Sequence, residues 1–315
     1  MPRVIFFGSP EFALPSLEAL IPTEFCPELV VTQPDRPSGR GRNSKPTPVR
    51  ALAEQNGLAV KVVSSFKRGD AVELLSASGA DFFVVVAFGL IFPEKLLKVP
   101  IKEPVNLHAS LLPSSRGASP VNMAIKDGRA FTGVSTMRMV RELDAGPVFM
   151  QAVEPVDPME DAGSLSSRLA EKGAGLLVKT LMGIDAGNLS PVEQPEEGIS
   201  TVSLLKKEDG SVPWEKSAIE VHNHIRGMNP WPGSHTWYQG EYIKIHRAEP
   251  LDLIPRGVDP GRILYAAGKD LIVACGNGSV RVTRVQVRGK KAMDAEDFLR
   301  GYRLEEGGIF GKGRR

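Results

Sequence analysis

Three side chains in the first half of this 315-residue chain have the types and spacing to stabilise a polar transition state. Asn106 and His108 lie in the run NLHASLLPSSRGASP (106–120), and Asp144 lies in RELDAGPVF (141–149). The apolar residues ahead of Asn106 read as the approach to a strand, whose period of two puts Asn106 and His108 on one face and Leu107 on the other. An amide donates to a developing oxyanion. An imidazole donates when charged and accepts a proton when neutral, and a nearby carboxylate orients it or holds its charge. No nucleophilic Ser or Cys stands out beside them. The chemistry they suit is acyl-type transfer to a nucleophile that the substrate carries.

The elements that must position these groups alternate. Val4–Phe7, Leu29–Thr32, Val60–Val63 and Phe82–Ala87 read as strands; Phe12–Leu20, Pro48–Asn56 and Asp70–Ser78 read as helices between them. Strands that are apolar throughout and separated by helices predict an α/β fold, a parallel sheet covered on both faces. Ligands of such sheets sit beyond the carboxyl ends of the strands, where residues 88–93 and Asn106-x-His108 fall. The first turn, Gly8-Ser-Pro-Glu-Phe, is not G-x-G-x-x-G, and its acid opposes a pyrophosphate, which argues against a nicotinamide-dinucleotide oxidoreductase. A helical stretch from about Ala162 to Ile184 follows, with apolar residues at the spacing that covers a sheet. The segment GNLSPVEQPEEGIS (187–200) then has the composition of a linker.

Beyond it, a short helix (Ala218–Arg226) precedes the alternating runs His235–Tyr238, Tyr242–His246, Gly261–Tyr265, Leu271–Cys275 and Val280–Val287. Turn signals separate them, as in a small β-barrel. The predicted organisation is a catalytic domain over 1–189, a linker over 190–203 and a barrel domain over 204–315. His222 and His224 are two apart on a helix and diverge by about 200°, so they cannot share a metal. Trp214, Trp231, Trp237 and Tyr238 suit either base stacking or a barrel core.

Charge is uneven. Residues 1–200 carry 20 basic and 23 acidic side chains, and residues 201–315 carry 19 and 14, so a net of +2 divides into −3 and +5. Within the acidic half, Pro34–Arg50 holds Arg36, Arg40, Arg42, Lys45 and Arg50 against Asp35 alone. Its four prolines and two glycines forbid a long helix or central strand, so the charges are expected on a mobile loop. Such a loop beside a cleft suits a polyanionic substrate. Cys26 and Cys275 form no paired or metal-like spacing, and no apolar run reaches the ~20 residues that span a bilayer, so a cytoplasmic location is expected.

The run from Asn106 to His108, continued by Ser110-Leu-Leu-Pro113 and Arg116-Gly117-Ala-Ser-Pro120, resembles the signature of the folate-dependent formyltransferase family. The resemblance extends to TGVSTM (132–137) and to LDAG (143–146), which matches the family's catalytic-aspartate loop. RVIFFGSPEFALPSLEAL (3–20), QPDRPSGRGRNSKPTPV (33–49) and NPWPGSHTW (229–237) are similar to the members that act on an aminoacyl-tRNA. It covers about Arg3 to Tyr302 and departs at Ala109, Ser114-Ser115 and Ala145-Gly146-Pro147.

It implies a Rossmann-like formyltransferase domain followed by an oligonucleotide-binding-like barrel that binds tRNA. It implies Asn106, His108 and Asp144 as catalytic residues, and a folate site at Phe88, Gly89, Leu90 and Ile91 with Ser110, Leu111, Leu112 and Pro113. In the basic segment it makes Arg40 the reader of the acceptor stem, with Arg36, Arg42 and Lys45 as supporting contacts. The donor would be 10-formyltetrahydrofolate and the acceptor the α-amino group of methionine on initiator tRNA, with no metal and a monomeric protein. The alternatives are a formyltransferase for a small amine such as an amino sugar nucleotide, a formyltetrahydrofolate hydrolase, and a noncatalytic RNA-binding protein.

Overall fold

The computed structural model describes residues 1–38, 43–67, 70–253 and 257–311, and the chain forms two compact units. The first comprises 1–117, 132–155 and 166–202; the second comprises 118–131, 156–165 and 203–315. Two short segments of the first half therefore fold with the second unit, and residues 190–202 fold with the first.

In the first unit, five strands form the parallel part of a seven-stranded sheet: Glu103–His108, Phe82–Val86, Val4–Gly8, Leu29–Thr32 and Ala59–Val62, in that spatial order. All five end on one side. The order reverses at Val4–Gly8, the arrangement that opens a crevice beyond the carboxyl ends. Phe131–Arg138 adds antiparallel to Glu103–His108, and Val148–Pro155 completes that edge. The inner strands Val4–Gly8 and Phe82–Val86 are buried along their whole length, which is why they read as continuous apolar runs.

One sheet face carries Ile5, Phe7, Val31, Phe83 and Val85, packed with Phe88, Phe92 and Leu96. The long helix Ala162–Asp185 reaches the site strand through Gly173. A Cβ there would sit 2.7 Å from a Leu107 methyl, so a larger residue would have to displace the Leu107 side chain. Leu107 is thereby committed to the helix side, and the period of two turns Asn106 and His108 to the opposite face.

The second unit is an antiparallel sheet in the order His235–Tyr238, Glu241–Leu251, Ser279–Val287, Asp270–Ala274 and Ile263–Ala267, with Met293–Asp294 paired to Ser279–Val287. Inward residues such as Ile243, Ile245, Val280 and Val282 form its core with Val221 and Ile225 of the helix Ala218–Gly227. The segment 307–311 bonds on one side to Gly261 and Ile263 and on the other to Trp237. Those bonds link the two edge strands and close the sheet as a barrel, removing the edges that an open sheet exposes.

Candidate active site

His108 is the last residue of the strand Glu103–His108, at the carboxyl end where the crevice lies. It is 7 % exposed. Its Nε2 lies 3.0 Å from the carbonyl oxygen of Ser115, to which it donates, and its Nδ1 faces Asp144 Oδ2 at 3.6 Å, an ion-pair distance rather than a hydrogen bond. Both ring nitrogens therefore face oxygen atoms of the protein. Asp144 Oδ2 also accepts from the backbone N–H of Gly117 at 2.8 Å, and Asp144 sits at φ 52°, a left-handed conformation that Asp tolerates better than most residues. Asn106 is part-exposed, and its amide has no hydrogen-bond partner among the described residues. The end of this strand thus carries an imidazole that faces a carboxylate, and two residues before it an amide with no hydrogen-bond partner among the described residues.

The loop after His108 is fixed from several sides. Ser135 Oγ donates to Ser110 O at 2.6 Å and accepts from Leu112 N at 3.1 Å. Gln151 Nε2 donates to Leu112 O at 2.9 Å, and Ser110 Oγ donates to Ser114 O at 2.6 Å. Leu111 lies against Gly133, and Leu112 is buried. Ser200 Oγ accepts from Ser115 N at 2.8 Å, and Thr201–Val202 pairs in parallel with Arg116–Gly117. Composition concealed Ser135, Gln151, Gln194 and Ser200. The last two lie in the polar segment with the look of a linker, while Ser135 lies within the TGVSTM resemblance.

The other proposed folate residues divide into core and surface. Phe88 is 2 % exposed, with its ring edge-on to Phe7 at 5.5 Å and to Phe92 at 6.0 Å, so the ring belongs to the core rather than to a pocket wall. Its carbonyl accepts from Gln33 Nε2 at 2.7 Å, which ties the end of the second strand to this segment. Ala87 and Gly89 have φ of 48° and 78°, and residues 88–92 form no backbone–backbone hydrogen bond among the described residues. Ile91 is 86 % exposed, and Leu90 and Pro113 are part-buried. Apart from the Phe88 carbonyl, peptide groups with no hydrogen bond among the described residues, beside the exposed Ile91 and part-buried Leu90, fit the polar edge and flat face of a heterocycle.

The basic segment starts one residue past Gln33 and forms a two-stranded hairpin, Arg36–Ser38 with Asn43–Lys45, rather than a wholly irregular loop. Short edge pairing accommodates its Pro37. Lys45 is exposed. Arg40 and Arg42 lie outside the described residues, and for Arg36 only the backbone is described. Arg50 pairs with Asp35 at 3.0 Å and Glu54 at 2.7 Å, so its charge is already matched.

On the barrel, Trp214 and Tyr238 are core. Trp237 instead meets Tyr242 edge-on at 5.3 Å, and His235 stacks on Tyr242 at 5.0 Å. Lys244 stands opposite His235 in register, and His246 Nε2 donates to Gln286 Oε1 at 3.1 Å. Burial lowers the His246 pKa, which favours the neutral ring. On the neighbouring strand Ser279–Val287 the exposed Arg284 pairs with Asp294 at 3.2 Å, and Arg288 is exposed just past its end. Rings flanked by cations are the elements of a nucleic-acid surface. Among the described residues no group of His, Cys, Asp and Glu side chains could hold a metal, and no helix is long and apolar enough to cross a membrane.

Residues 3–181 match the formyl transferase family model, and residues 204–303 match that of the formyl transferase C-terminal domain. The methionyl-tRNA formyltransferase of Geotalea daltonii is 42% identical over 310 residues, 98% of each chain. That of Citrifermentans bemidjiense is 40% identical over 310 residues, 98% of this chain and 96% of the relative. An N-formyltransferase from Helicobacter canadensis, solved with folinic acid and dTDP-3-aminofucose, superposes with a TM-score of 0.66 at 18% identity over 90% of this chain and 99% of its own. HypX from Aquifex aeolicus, solved with tetrahydrofolic acid, gives 0.61 at 17% identity over 94% of this chain and 46% of its own. These two share the fold. The chain belongs to the formyl transferase family, in its methionyl-tRNA formyltransferase group.

Proposed function

We propose that this protein transfers the formyl group of 10-formyltetrahydrofolate to the α-amino group of methionine esterified to initiator tRNA, with Asn106, His108 and Asp144 as its catalytic residues. The observation that carries the reading is the Asp144 carboxylate facing the His108 imidazole at the carboxyl end of the site strand, in a chain about 40% identical to methionyl-tRNA formyltransferases over 98% of its length. The folate supplies an activated formyl carbon.

The methionine amine attacks that carbon, a C–N bond to the acceptor forms, and the bond to the folate nitrogen breaks. The acceptor nitrogen loses one proton and the folate nitrogen leaves with one, so the reaction balances without oxidant or metal. The free amide of Asn106 donates to the developing oxyanion, and the imidazolium of His108 stabilises it by charge. Asp144 holds that imidazolium from the side opposite Ser115 O and helps relay the proton through water. Residues 88–91, with Ser110–Pro113, form the folate site. Because the Phe88 ring is core, the segment offers peptide groups and the Leu90 and Ile91 side chains.

Arg36, Arg40, Arg42 and Lys45 meet the acceptor stem, and the barrel binds the tRNA body. This function implies a cytoplasmic protein, and we assign it a monomeric state. The test follows labelled formyl from 10-formyltetrahydrofolate with charged initiator tRNA, charged elongator tRNA, an amino sugar nucleotide or no acceptor. Transfer to the initiator species alone is expected. Formate release without acceptor, or transfer to the small amine, would overturn the reading. The Arg40→Ala, Arg42→Ala double variant is expected to lose transfer to tRNA, keep folate binding, and flatten the salt dependence of tRNA binding by about one unit of slope for each phosphate that the protein no longer neutralises. An unchanged slope would move the tRNA footprint off the hairpin.

A further inference from the structure

The stretch between the long helix and the second unit is bound to the loop that carries Asp144. Gln194 is half-buried while its neighbours Glu193 and Pro195 are exposed. Its Nε2 donates to Asp144 O at 2.8 Å and to Gly146 O at 2.7 Å, and its Oε1 accepts from Arg116 Nε at 3.0 Å and Nη2 at 2.7 Å. Arg116 in turn precedes Gly117, whose N–H donates to the Asp144 carboxylate. The bonds close a ring that runs from the Asp144 main chain through Gln194, Arg116 and Gly117 back to the Asp144 side chain.

That ring holds a residue in a conformation it would not keep alone. The left-handed backbone of Asp144 costs of order 1 kcal/mol and persists only where surrounding contacts over-determine it. Rotation about that backbone would swing the carboxylate away from His108 Nδ1, which it faces at 3.6 Å. The amide of Gln194 fixes the Asp144 carbonyl, and it does so without a hydrogen bond to His108.

We propose that Gln194 is a positioning residue for the formyl transfer: by gripping the carbonyls of Asp144 and Gly146 against Arg116, it holds the Asp144 carboxylate in line with His108. The proposal rests on the reading of Asp144 as the partner of a catalytic His108. Gln194→Glu keeps the size of the side chain and its bond to Arg116 but removes both donated hydrogen bonds. Gln194→Leu removes all of them.

Each variant is expected to lower kcat by about 10- to 100-fold, the range in which small misplacements of a reacting group fall, with KM for donor and charged tRNA within about twofold of the parent. In an Asp144→Asn background the same changes should cost less than about twofold, because residues that act as a unit are not additive. Gln194→Glu with parental kcat, a change in KM alone, or losses that multiply in the Asp144→Asn background would each overturn the proposal. If Gln194→Leu fails to fold, Gln194→Glu decides it. Parental turnover by Asp144→Asn would bring down the catalytic reading and this proposal with it, whereas a crippled Asp144→Asn beside an unaffected Gln194→Glu would bring down the proposal alone.

Discussion

Replacing Asp144 by Asn isolates a charge from a geometry. Asn accepts the Gly117 N–H through its amide oxygen and tolerates the left-handed backbone that Asp144 adopts at φ 52°, so the loop should keep its shape. What disappears is the negative charge 3.6 Å from His108 Nδ1, with both side chains largely buried, 7% and 12% exposed. At an effective dielectric constant of about 20, two unit charges at that distance attract by about 4–5 kcal/mol. Not all of this is forfeited, because the Asn dipole and water reorganise around the ring. A fall of about 10²- to 10³-fold in kcat is therefore expected, equivalent to about 3–4 kcal/mol of barrier. The assay is single-turnover transfer of labelled formyl to charged initiator tRNA, with folate-analogue binding measured in parallel and expected to change less than about twofold. Asp144→Ala would be a poorer probe, since it also discards the Gly117 hydrogen bond and strains the backbone. Turnover by Asp144→Asn within about threefold of the parent would refute the electrostatic role.

Asn106→Ala should lower kcat by about 10²-fold, as expected for removal of one oxyanion donor, with folate binding unchanged; parental turnover would take Asn106 out of the mechanism. Burial pushes the His224 imidazole down to about 4, against about 6.5 in an unfolded chain. The unfolded state therefore takes up its proton first. Stability is whole above pH 6.5 and declines as pH falls toward 4, by about 3 kcal/mol in all, with the depressed His246 acting in the same direction. The urea midpoint of the second unit, read from tryptophan fluorescence because Trp214, Trp231 and Trp237 all lie there, should fall between pH 7.5 and 5 and fall less in His224→Leu; a flat profile would contradict this. Burial likewise pushes the Cys275 thiol up to about 12, so native protein at pH 8 should expose only Cys26 to a thiol reagent, and equal reaction of both would show that the barrel core opens.

The parts that sequence made visible share a physical cause. Val4–Gly8 and Phe82–Val86 are buried on both faces and so appear as unbroken apolar runs, and the barrel strands alternate because one face is core. Phe131–Arg138 left no such trace, because its buried positions include Ser135 and Thr136, whose hydroxyls bond Ser110 O and the Thr180 hydroxyl. Hydropathy cannot register a core strand built from small polar residues. The short-range pattern of Asn106 and His108 was legible, and so was the end of the sheet at which they lie. The partnership of Arg116 with Gln194 was not, since side-chain bonds between residues 78 apart have no period. Nor does local sequence reveal that residues 118–131 and 156–165 pack with the second unit, where the Asn122 amide donates to Gly227 O at 2.7 Å and Arg226 donates to Glu160 O at 2.8 Å.

The pairing of Thr201–Val202 with Arg116–Gly117 bears on how this protein can be divided. A Cβ on Gly117 would lie 2.1 Å from Val202 O, so the two backbones are seated against each other as closely as glycine allows. A chain ended after residue 189, where the long helix is complete and composition suggests a boundary, would lack Gln194, Ser200 and Val202 together. It would keep Asn106 and His108 on their strand but leave Asp144 on a loop with much of its bracing gone. Chimeras that exchange the C-terminal barrel should therefore be joined after Val202, so that the tail of the first unit travels with the loop it braces.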